Sequence, residues 1–188
     1  MEMRLRLALV LVLLAVSATA GTITITFSEF PVGTVITNQY QALGVTFSGA
    51  AGDPPVIADD SAMPDSPILS PNPPYAGDFY INFIGDAGVD VQFDSGSWDY
   101  PLGLGTIDVY DTSSVLVASL TDTTLGVEHF DLSSYGTIGQ IYFDSTNDPG
   151  GADIGDLQFS PAGAAPEPGS LLLLGSGLGL IALLRRKL

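Results

Sequence analysis

The sequence predicts an all-β protein built as an antiparallel β-sandwich. Residues 21–160 contain about ten short strands at roughly 8–12-residue spacing, which is typical of two-layer antiparallel folds. Apolar and polar residues alternate within these strands, as expected for strands that bury one face. Clusters of Gly, Asp, Asn and Pro separate the strands, and no stretch between them has a convincing helical period.

The individual strands follow from this alternation. In the first, TITITF (22–27), Ile23, Ile25 and Phe27 share one face and the threonines share the other. The later strands are GVTFS (44–48), GVDVQF (88–93), TIDVYD (106–111), SVLVASL (114–120), VEHFDL (127–132), GQIYFD (139–144) and GDLQF (155–159). Residues 49–77 are rich in Pro, Asp and Ser and predict a long loop with one or two short strands. Residues 161–168 (PAGAAPEP) predict an extended linker after a domain of residues 21–160.

Residues 1–20 predict a cleavable N-terminal signal peptide. Arg4 and Arg6 form a short basic segment, and residues 7–16 form an apolar segment too short to span a bilayer. Ala18 and Ala20 supply the small residues that signal peptidase recognises, with cleavage expected after Ala20. A buried N-terminal helix is the alternative. The order of the three segments favours export.

Residues 169–184 predict one short C-terminal transmembrane helix. The stretch is apolar apart from Gly and Ser, and as a helix it would be about 24 Å long. Arg185, Arg186 and Lys187 follow at once and should keep residues 185–188 cytoplasmic as a membrane stop. The arrangement places the body of the protein outside the inner membrane. A buried helix of the sandwich domain is the alternative.

A tripeptide before the apolar stretch adds specificity. Pro166, Glu167 and Pro168, followed by a glycine-containing apolar helix and an Arg-rich end, resemble the PEP-CTERM sorting signal of Gram-negative bacteria. The resemblance implies that an exosortase recognises these three residues and cuts near them, so that the inner-membrane anchor is transient. It also implies release to the cell surface or to an extracellular matrix of exopolysaccharide and biofilm. An ordinary proline-rich linker before a membrane helix is the alternative.

A second resemblance covers most of the domain. Residues 26–48 (TFSEFPVGTVITNQYQALGVTFS) and 154–159 (IGDLQF) resemble the first and last segments of jelly-roll domains found in PEP-CTERM proteins. Related galactose-binding-like sandwiches often hold a structural calcium where the first and last strands meet. By position, the resemblance makes Glu29, Asp153 and Asp156 the candidate calcium ligands. Turn and cap roles for the same acids are the alternative.

Basic and acidic residues lie in different parts of the chain. The five basic residues are Arg4, Arg6, Arg185, Arg186 and Lys187, and none lies between residues 21 and 166. Of the 21 acidic residues, all but Glu2 and Glu167 lie in that stretch. Nucleic acid is therefore excluded as a partner, because its phosphates need Lys and Arg. Divalent cations would be attracted, although a purely solubilising acidic surface explains the composition equally well. The chain has no Cys, so disulfides contribute nothing to its stability.

The sequence offers little catalytic chemistry. His129 is the single histidine, no Cys is available to pair with it, and no G-x-S-x-G motif is present. Paired carboxylates for glycoside hydrolysis are formally available because Asp is abundant, but that abundance makes them uninformative. We expect no enzymatic activity.

Loop aromatic residues suggest a ligand site. Trp98 and Tyr100 lie in GSWDYP (96–101), and Tyr75 and Tyr80 lie in a second Gly- and Pro-rich segment. Aromatic rings beside Asp or Asn suit the stacking of sugars, whereas packing inside the domain is the alternative for Trp98. The expected function is that of a non-catalytic surface or matrix protein. The alternatives are a calcium-dependent carbohydrate-binding module and, third, a glycan hydrolase.

Overall fold

Eleven β-strands and two short 3₁₀ turns organise the part of the chain that the computed structural model describes, residues 21–74, 77–97, 102–145 and 152–161. The 3₁₀ turns are Gln41–Leu43 and Ser133–Tyr135. The strands are β1 (Ile23–Ile25), β2 (Val45–Gly49), β3 (Val56–Ala58), β4 (Ile68–Ser70), β5 (Phe79–Phe83), β6 (Val89–Ser97), β7 (Thr106–Asp111), β8 (Leu116–Leu120), β9 (Gly126–Asp131), β10 (Ile138–Asp144) and β11 (Leu157–Ser160).

The strands form two main antiparallel sheets. One has four strands in the order β1-β11-β6-β9, and the other has five in the order β2-β5-β10-β7-β8. A third, two-stranded sheet of β3 and β4 lies in the segment predicted as a long loop with one or two short strands. The fold class predicted from the sequence, an antiparallel β-sandwich, is confirmed.

The two main sheets share one apolar core. Alternate residues of each strand point inward, as in β5, where Phe79, Ile81 and Phe83 are buried. Phe79 stacks on Phe143 within the five-stranded sheet, with ring centroids 4.6 Å apart and planes 4° from parallel. Across the core, Phe93 of the four-stranded sheet contacts the same Phe143 ring edge-on at 5.4 Å. Residues of both main sheets therefore contribute to a single core of buried apolar side chains.

The segment after β1 packs as an aromatic cluster. Phe27 has a positive φ of 57°, a left-handed conformation that turns the chain while its ring stays fully buried. Its ring contacts Tyr40 and Phe47 edge-on, both at 6.0 Å. Tyr40 in turn donates a hydrogen bond from its hydroxyl to Glu29 Oε2 at 2.9 Å. Tyr40 therefore links Phe27 and Glu29, all within residues 26–48, around one buried corner.

One strand was not predicted from the sequence. β5 (FYINF) alternates clearly, but it directly follows the Pro-rich loop and was not separated from it. It occupies the second position of the five-stranded sheet, between β2 and β10. In this sheet, β2 is joined to the other strands only through β5.

Several predicted segments lie outside the described residues. They are the signal peptide (1–20), the PEP motif (166–168), the apolar helix (169–184) and the basic tail (185–188). Among the residues that the structure describes, no helix has the length and apolar character needed to cross a membrane.

Candidate functional site

The outer face of the four-stranded sheet carries a polar groove of about 230 Å³. Because Val91 and Phe93 of β6 point into the core, Gln92 and Asp94 point outward. Strand pairing then places His129 of β9 opposite Asp94 and Gln158 of β11 opposite Gln92. We call this site the acidic groove; its polar lining residues are Asp65, Gln92, Asp94, His129, Asp156 and Gln158.

An imidazole–carboxylate pair lies at the centre of the acidic groove. His129 Nδ1 is 2.6 Å from Asp94 Oδ1, and 56% of the His129 side chain is exposed. A pair this exposed contributes little to stability, since water screens it. The structure therefore places His129 in a polar cluster rather than in the core.

Asp65 reaches the same cluster from the loop before β4. The carboxyl groups of Asp65 and Asp94 both line the acidic groove. Burial, followed by the hydrogen bond and the charge of Asp94, raises the pKa of Asp65 above its ordinary value. Gly155 makes the approach possible, because a Cβ there would lie 3.2 Å from Asp65 Cβ.

Asp156 adds a third carboxyl to the acidic groove. It lies between Gly155 and Leu157, whose side chain is buried in the core. Burial raises the pKa of Asp156, and the negative charges of Asp65, Asp94 and Glu29 raise it further. Three acids that repel one another in this way can share protons or attract a cation. The described lining of the groove contains no Ser or Cys that could act as a nucleophile.

Asp153, also predicted as a calcium ligand, lies in a different environment. Only 4% of the residue is exposed, and its Oδ1 accepts a hydrogen bond from the Gly96 backbone N–H at 3.1 Å. Its backbone carbonyl accepts a second bond from Ser95 Oγ at 2.7 Å. Burial raises the pKa of Asp153 to about 7; the Gly96 hydrogen bond opposes this shift, and the charge of Asp60 adds to it. The residue fastens the segment before β11 to β6.

The three predicted calcium ligands have different surroundings. Glu29 accepts the hydroxyl of Tyr40, and its charge is the smallest of the causes that raise the pKa of Asp156. The carboxylate of Asp153 is instead bound by Gly96. Within residues 21–161, leaving aside the segments that are not described, no three His, Asp or Glu side chains are arranged to hold a metal. Calcium at Glu29, Asp153 and Asp156 stays a prediction.

The acidic groove itself was missed by sequence reasoning. Its central pair joins residues that lie 35 positions apart, so it depends on the pairing of β6 with β9. The alternation of GVDVQFD and VEHFD does place Asp94 and His129 on outward faces, and that pattern could have suggested the pair.

The remaining predicted site residues lie outside the described ranges. This holds for the sugar-stacking candidates Trp98 and Tyr100 and for the signal-cleavage residues Ala18 and Ala20. It also holds for the sorting motif (166–168) and the membrane stop (185–187). Tyr80, a weaker sugar candidate, is described and lies on the outer face of the five-stranded sheet.

Comparison with solved structures finds distant likenesses. A mutant of a family 29 carbohydrate-binding module is 15% identical, with a TM-score of 0.35, over 62% of this chain and 91% of the module. The K2 cleaved adhesin domain of Lys-gingipain is 14% identical, with a TM-score of 0.37, over 74% of this chain and 99% of that domain. An isomalto-dextranase of Arthrobacter globiformis is 10% identical, with a TM-score of 0.28, over 76% of this chain and 33% of the enzyme. These likenesses are too distant to support an argument about function.

Comparison at the sequence level is more specific. No curated protein matches the chain. The family model for the PEP-CTERM protein-sorting motif matches residues 164–187, which include the predicted recognition tripeptide, apolar stretch and basic end. The resemblance stated from the sequence is confirmed for this segment. The chain therefore carries a PEP-CTERM protein-sorting motif, which marks it as a secreted protein processed at the membrane by an exosortase.

Proposed function

We propose that this protein is a non-catalytic component of the cell surface or of an extracellular exopolysaccharide matrix, released there by an exosortase. The observation that carries the proposal is the sorting motif at residues 164–187. On sequence grounds, the two prolines around Glu167 should disfavour a helix at and just before them, which would leave this segment open to a protease. The anchor is then temporary, and the β-sandwich is the part that acts outside.

The acidic surface agrees with a location among neutral sugars and cations. Residues 21–165 contain no Lys or Arg, so every fixed charge outside the ends is negative. Such a surface keeps the protein soluble and repels nucleic acid. It also disfavours polyanionic partners. We therefore propose exopolysaccharide as the partner of the released protein, with signal peptidase and exosortase as its processing enzymes.

The sorting step is tested in a bacterial host that has an exosortase. An epitope tag inserted at the exposed tip Ser113-Ser114 of the β7–β8 hairpin would follow the protein through cell fractionation. In the parent strain the tagged protein should leave the membrane fraction and lose mass. In an exosortase deletion strain, and in the Glu167→Ala variant, the uncut protein should stay in the inner membrane.

A matched control separates recognition from a general change in the linker. Pro161→Ala alters a proline just outside the matched segment and should leave release unchanged. Equal release in the parent and deletion strains would refute exosortase processing. Loss of release in Pro161→Ala as well would mean that linker stiffness, rather than the motif, is recognised.

The non-catalytic part of the proposal is tested at the acidic groove. Three carboxyl groups, those of Asp65, Asp94 and Asp156, line it beside His129, so it is the described site at which glycan hydrolysis would have to occur. Incubation with the host's own exopolysaccharide should release no new reducing ends. Release that disappears in Asp94→Asn would overturn this part and support the glycan hydrolase instead.

A calcium-dependent carbohydrate-binding module is the second candidate. The carboxyl groups of Asp65, Asp94 and Asp156 that line the acidic groove support it, because carboxylate oxygens are the ligands that calcium prefers. Calcium titration calorimetry of the full chain in detergent tests it, with Asp156→Asn as the variant and Asp86→Asn, a change at an exposed acid, as the control. Trp98 and Tyr100 remain the proposed stacking residues of this candidate.

A further inference from the structure

The outer face of the five-stranded sheet carries an ordered array of aromatic and polar side chains. Strand pairing aligns Tyr80 of β5 with Tyr142 of β10, and the two rings stack at 4.6 Å. The same row continues to Ser48 of β2 on one side and to Asp108 of β7 and Ser119 of β8 on the other. The row crosses all five strands, a width of about 19 Å at the usual strand spacing.

A second row runs beside the first. It joins Thr46, Asn82, Gln140 and Tyr110, from β2, β5, β10 and β7 respectively. Asn82 lies at the centre of a chain of hydrogen bonds, because its Oδ1 accepts from Gln140 Nε2 at 2.7 Å and its Nδ2 donates to Ser48 Oγ at 3.2 Å. We call the two rows together the tyrosine face.

Contacts within the protein hold the central tyrosines of the tyrosine face in place. Tyr142 donates from its hydroxyl to Asp78 Oδ2 at 3.0 Å, and its ring is held against Tyr80. Side chains fixed in this way lose little freedom when a partner binds, which favours affinity. In the described part of the chain, the hydroxyls of Tyr80 and Tyr110 form no hydrogen bond, so both are available to an incoming group.

The chemistry of the tyrosine face selects its partner. Tyrosine rings offer apolar edges and faces, whereas Asn, Gln, Ser and Thr offer both donors and acceptors, as the CH and OH groups of a sugar require. Residues 21–165 contain no Lys or Arg to neutralise uronate, sulfate or phosphate groups. Asp78 and Asp108 on or beside the face would repel such anions. An uncharged sugar polymer therefore fits better than an acidic one.

We propose that the tyrosine face, centred on Tyr80, Asn82, Gln140 and Tyr142, binds an uncharged polysaccharide chain laid across the five-stranded sheet. The proposal deepens the proposed function and rests on it for the choice of a matrix polysaccharide as the ligand. It differs from the loop site predicted at Trp98 and Tyr100 and from the acidic groove on the other sheet. Its partner is recognised by contact with the tyrosine rings and by neutral hydrogen bonds rather than through a metal.

Affinity electrophoresis tests the proposal with the full chain in detergent. The protein has a formal net charge of −16 and migrates readily in a native gel. The probes are galactomannan, xyloglucan and dextran as uncharged polymers, alginate as an anionic polymer and glycol chitosan as a cationic one. We expect slower migration with at least one uncharged polymer and unchanged migration with alginate.

Two substitutions test whether the tyrosine face is the surface that binds the polymer. Tyr80→Ala and Gln140→Ala should each weaken binding to the retained polymer by about tenfold, as expected for the loss of one good aromatic or polar contact. Gln41→Ala is the matched control, because it removes an exposed glutamine from the first 3₁₀ turn, outside both main sheets and the acidic groove. Near-ultraviolet circular dichroism would show whether each variant is folded. If Tyr80→Ala does not fold, Gln140→Ala still tests the proposal.

Three outcomes would overturn the proposal. They are no retardation by any uncharged polymer, retardation by glycol chitosan alone, and an equal loss of binding in Gln41→Ala and Gln140→Ala. None of them depends on export or cleavage, because the assay uses purified protein. Failure here would leave exosortase processing untouched, and failure of the fractionation experiment would leave this surface untouched.

Discussion

The carboxylate of Asp153 accepts a hydrogen bond from the backbone N–H of Gly96 at 3.1 Å, 57 residues away along the chain. Only 4% of Asp153 is exposed, and the described residues place no Lys or Arg near it because residues 21–165 contain none. A buried acid without a cationic partner is costly to ionise. The burial of this carboxyl, which the Gly96 hydrogen bond only partly offsets, therefore makes the stability of the sandwich depend on pH.

Asp153→Asn should make the protein more stable at neutral pH. Burial raises the folded-state pKa of Asp153 from its ordinary 3.8 to about 7, so the folded state binds the proton more tightly than the unfolded state. The contribution of this group is fully present below about pH 4 and is lost as the pH rises through about 7. The asparagine variant removes that loss, by at most about 4 kcal/mol at pH 8 relative to pH 4.

Urea unfolding in EDTA at the two pH values measures the effect. Asp86→Asn, which removes one negative charge from an exposed position, corrects for the change in net charge. The prediction is contradicted if the difference in unfolding free energy between Asp153→Asn and the wild type is no larger at pH 8 than at pH 4. Added calcium that stabilises the wild type and not Asp153→Asn would show that the carboxylate has a cation as its partner.

Glu128→Gln should destabilise the protein at neutral pH and have little effect in acid. Burial tends to raise the pKa of Glu128, but hydrogen bonds from the backbone and hydroxyl groups of Thr123 and Thr124 outweigh it and lower the pKa. A lowered folded-state pKa gives stability that is present above about pH 4.5 and lost as the pH falls. We expect a loss of about 1–2 kcal/mol at pH 7.

The same urea titrations at pH 7 and pH 3 measure the difference for Glu128. The Thr123 N–H lies 2.7 Å from Glu128 Oε2, and the Thr123 hydroxyl lies 2.7 Å from Oε1, so both carboxylate oxygens are used. Glutamine has one acceptor oxygen and cannot replace both bonds. An equal loss at both pH values would mean that shape, and not charge, fixes the β8–β9 loop.

The fold was largely predictable because its strands alternate. In TITITF and GVDVQF the apolar positions by themselves indicated the buried face, and Ile25, Val91 and Phe93 are indeed buried. β5 has the same alternation but was not recognised, because a Pro-rich loop runs directly into it. The local alternation therefore predicted which strand faces are buried. The strand that was not predicted, β5, begins where the Pro-rich loop ends.

The sites were less predictable because they depend on pairing between distant strands. Asp94 meets His129 only through the β6–β9 register, and Tyr80 meets Tyr142 only through the β5–β10 register. The predicted acids illustrate the same limit. Asp156 lies in the acidic groove, whereas Asp153, three residues earlier, is buried against Gly96. Proximity along the chain did not place the two carboxylates together.

Phe143→Ala should be among the most damaging core substitutions. The ring is fully buried and contacts both Phe79 and Phe93, so its removal would leave a cavity shared by the two sheets. Phenylalanine-to-alanine changes of this kind cost about 3–5 kcal/mol. Phe143→Leu keeps most of the volume and should cost less than half as much in chemical unfolding. Similar losses in the two variants would show that ring stacking, rather than filled volume, stabilises this position.

Val117→Lys should reduce self-association of the protein. β8 is an edge strand that pairs only with β7 in the described part of the chain, and Val115, Leu116 and Val117 on and beside it are 39–56% exposed. Residues 112–121 contain no charge, Pro or Gly, so nothing along this edge opposes pairing with another chain. A lysine on the strand should therefore raise the concentration at which light scattering begins.

Val32→Lys is the matched control for the edge substitution. Val32 is also an exposed valine, 53% accessible, but it lies in a turn outside the sheets. Both variants lower the net negative charge by one, which weakens repulsion between molecules and by itself favours association. If the edge strand mediates self-association, Val117→Lys should oppose that trend while Val32→Lys follows it. Equal behaviour of the two variants would mean that net charge, and not the open edge of β8, governs association.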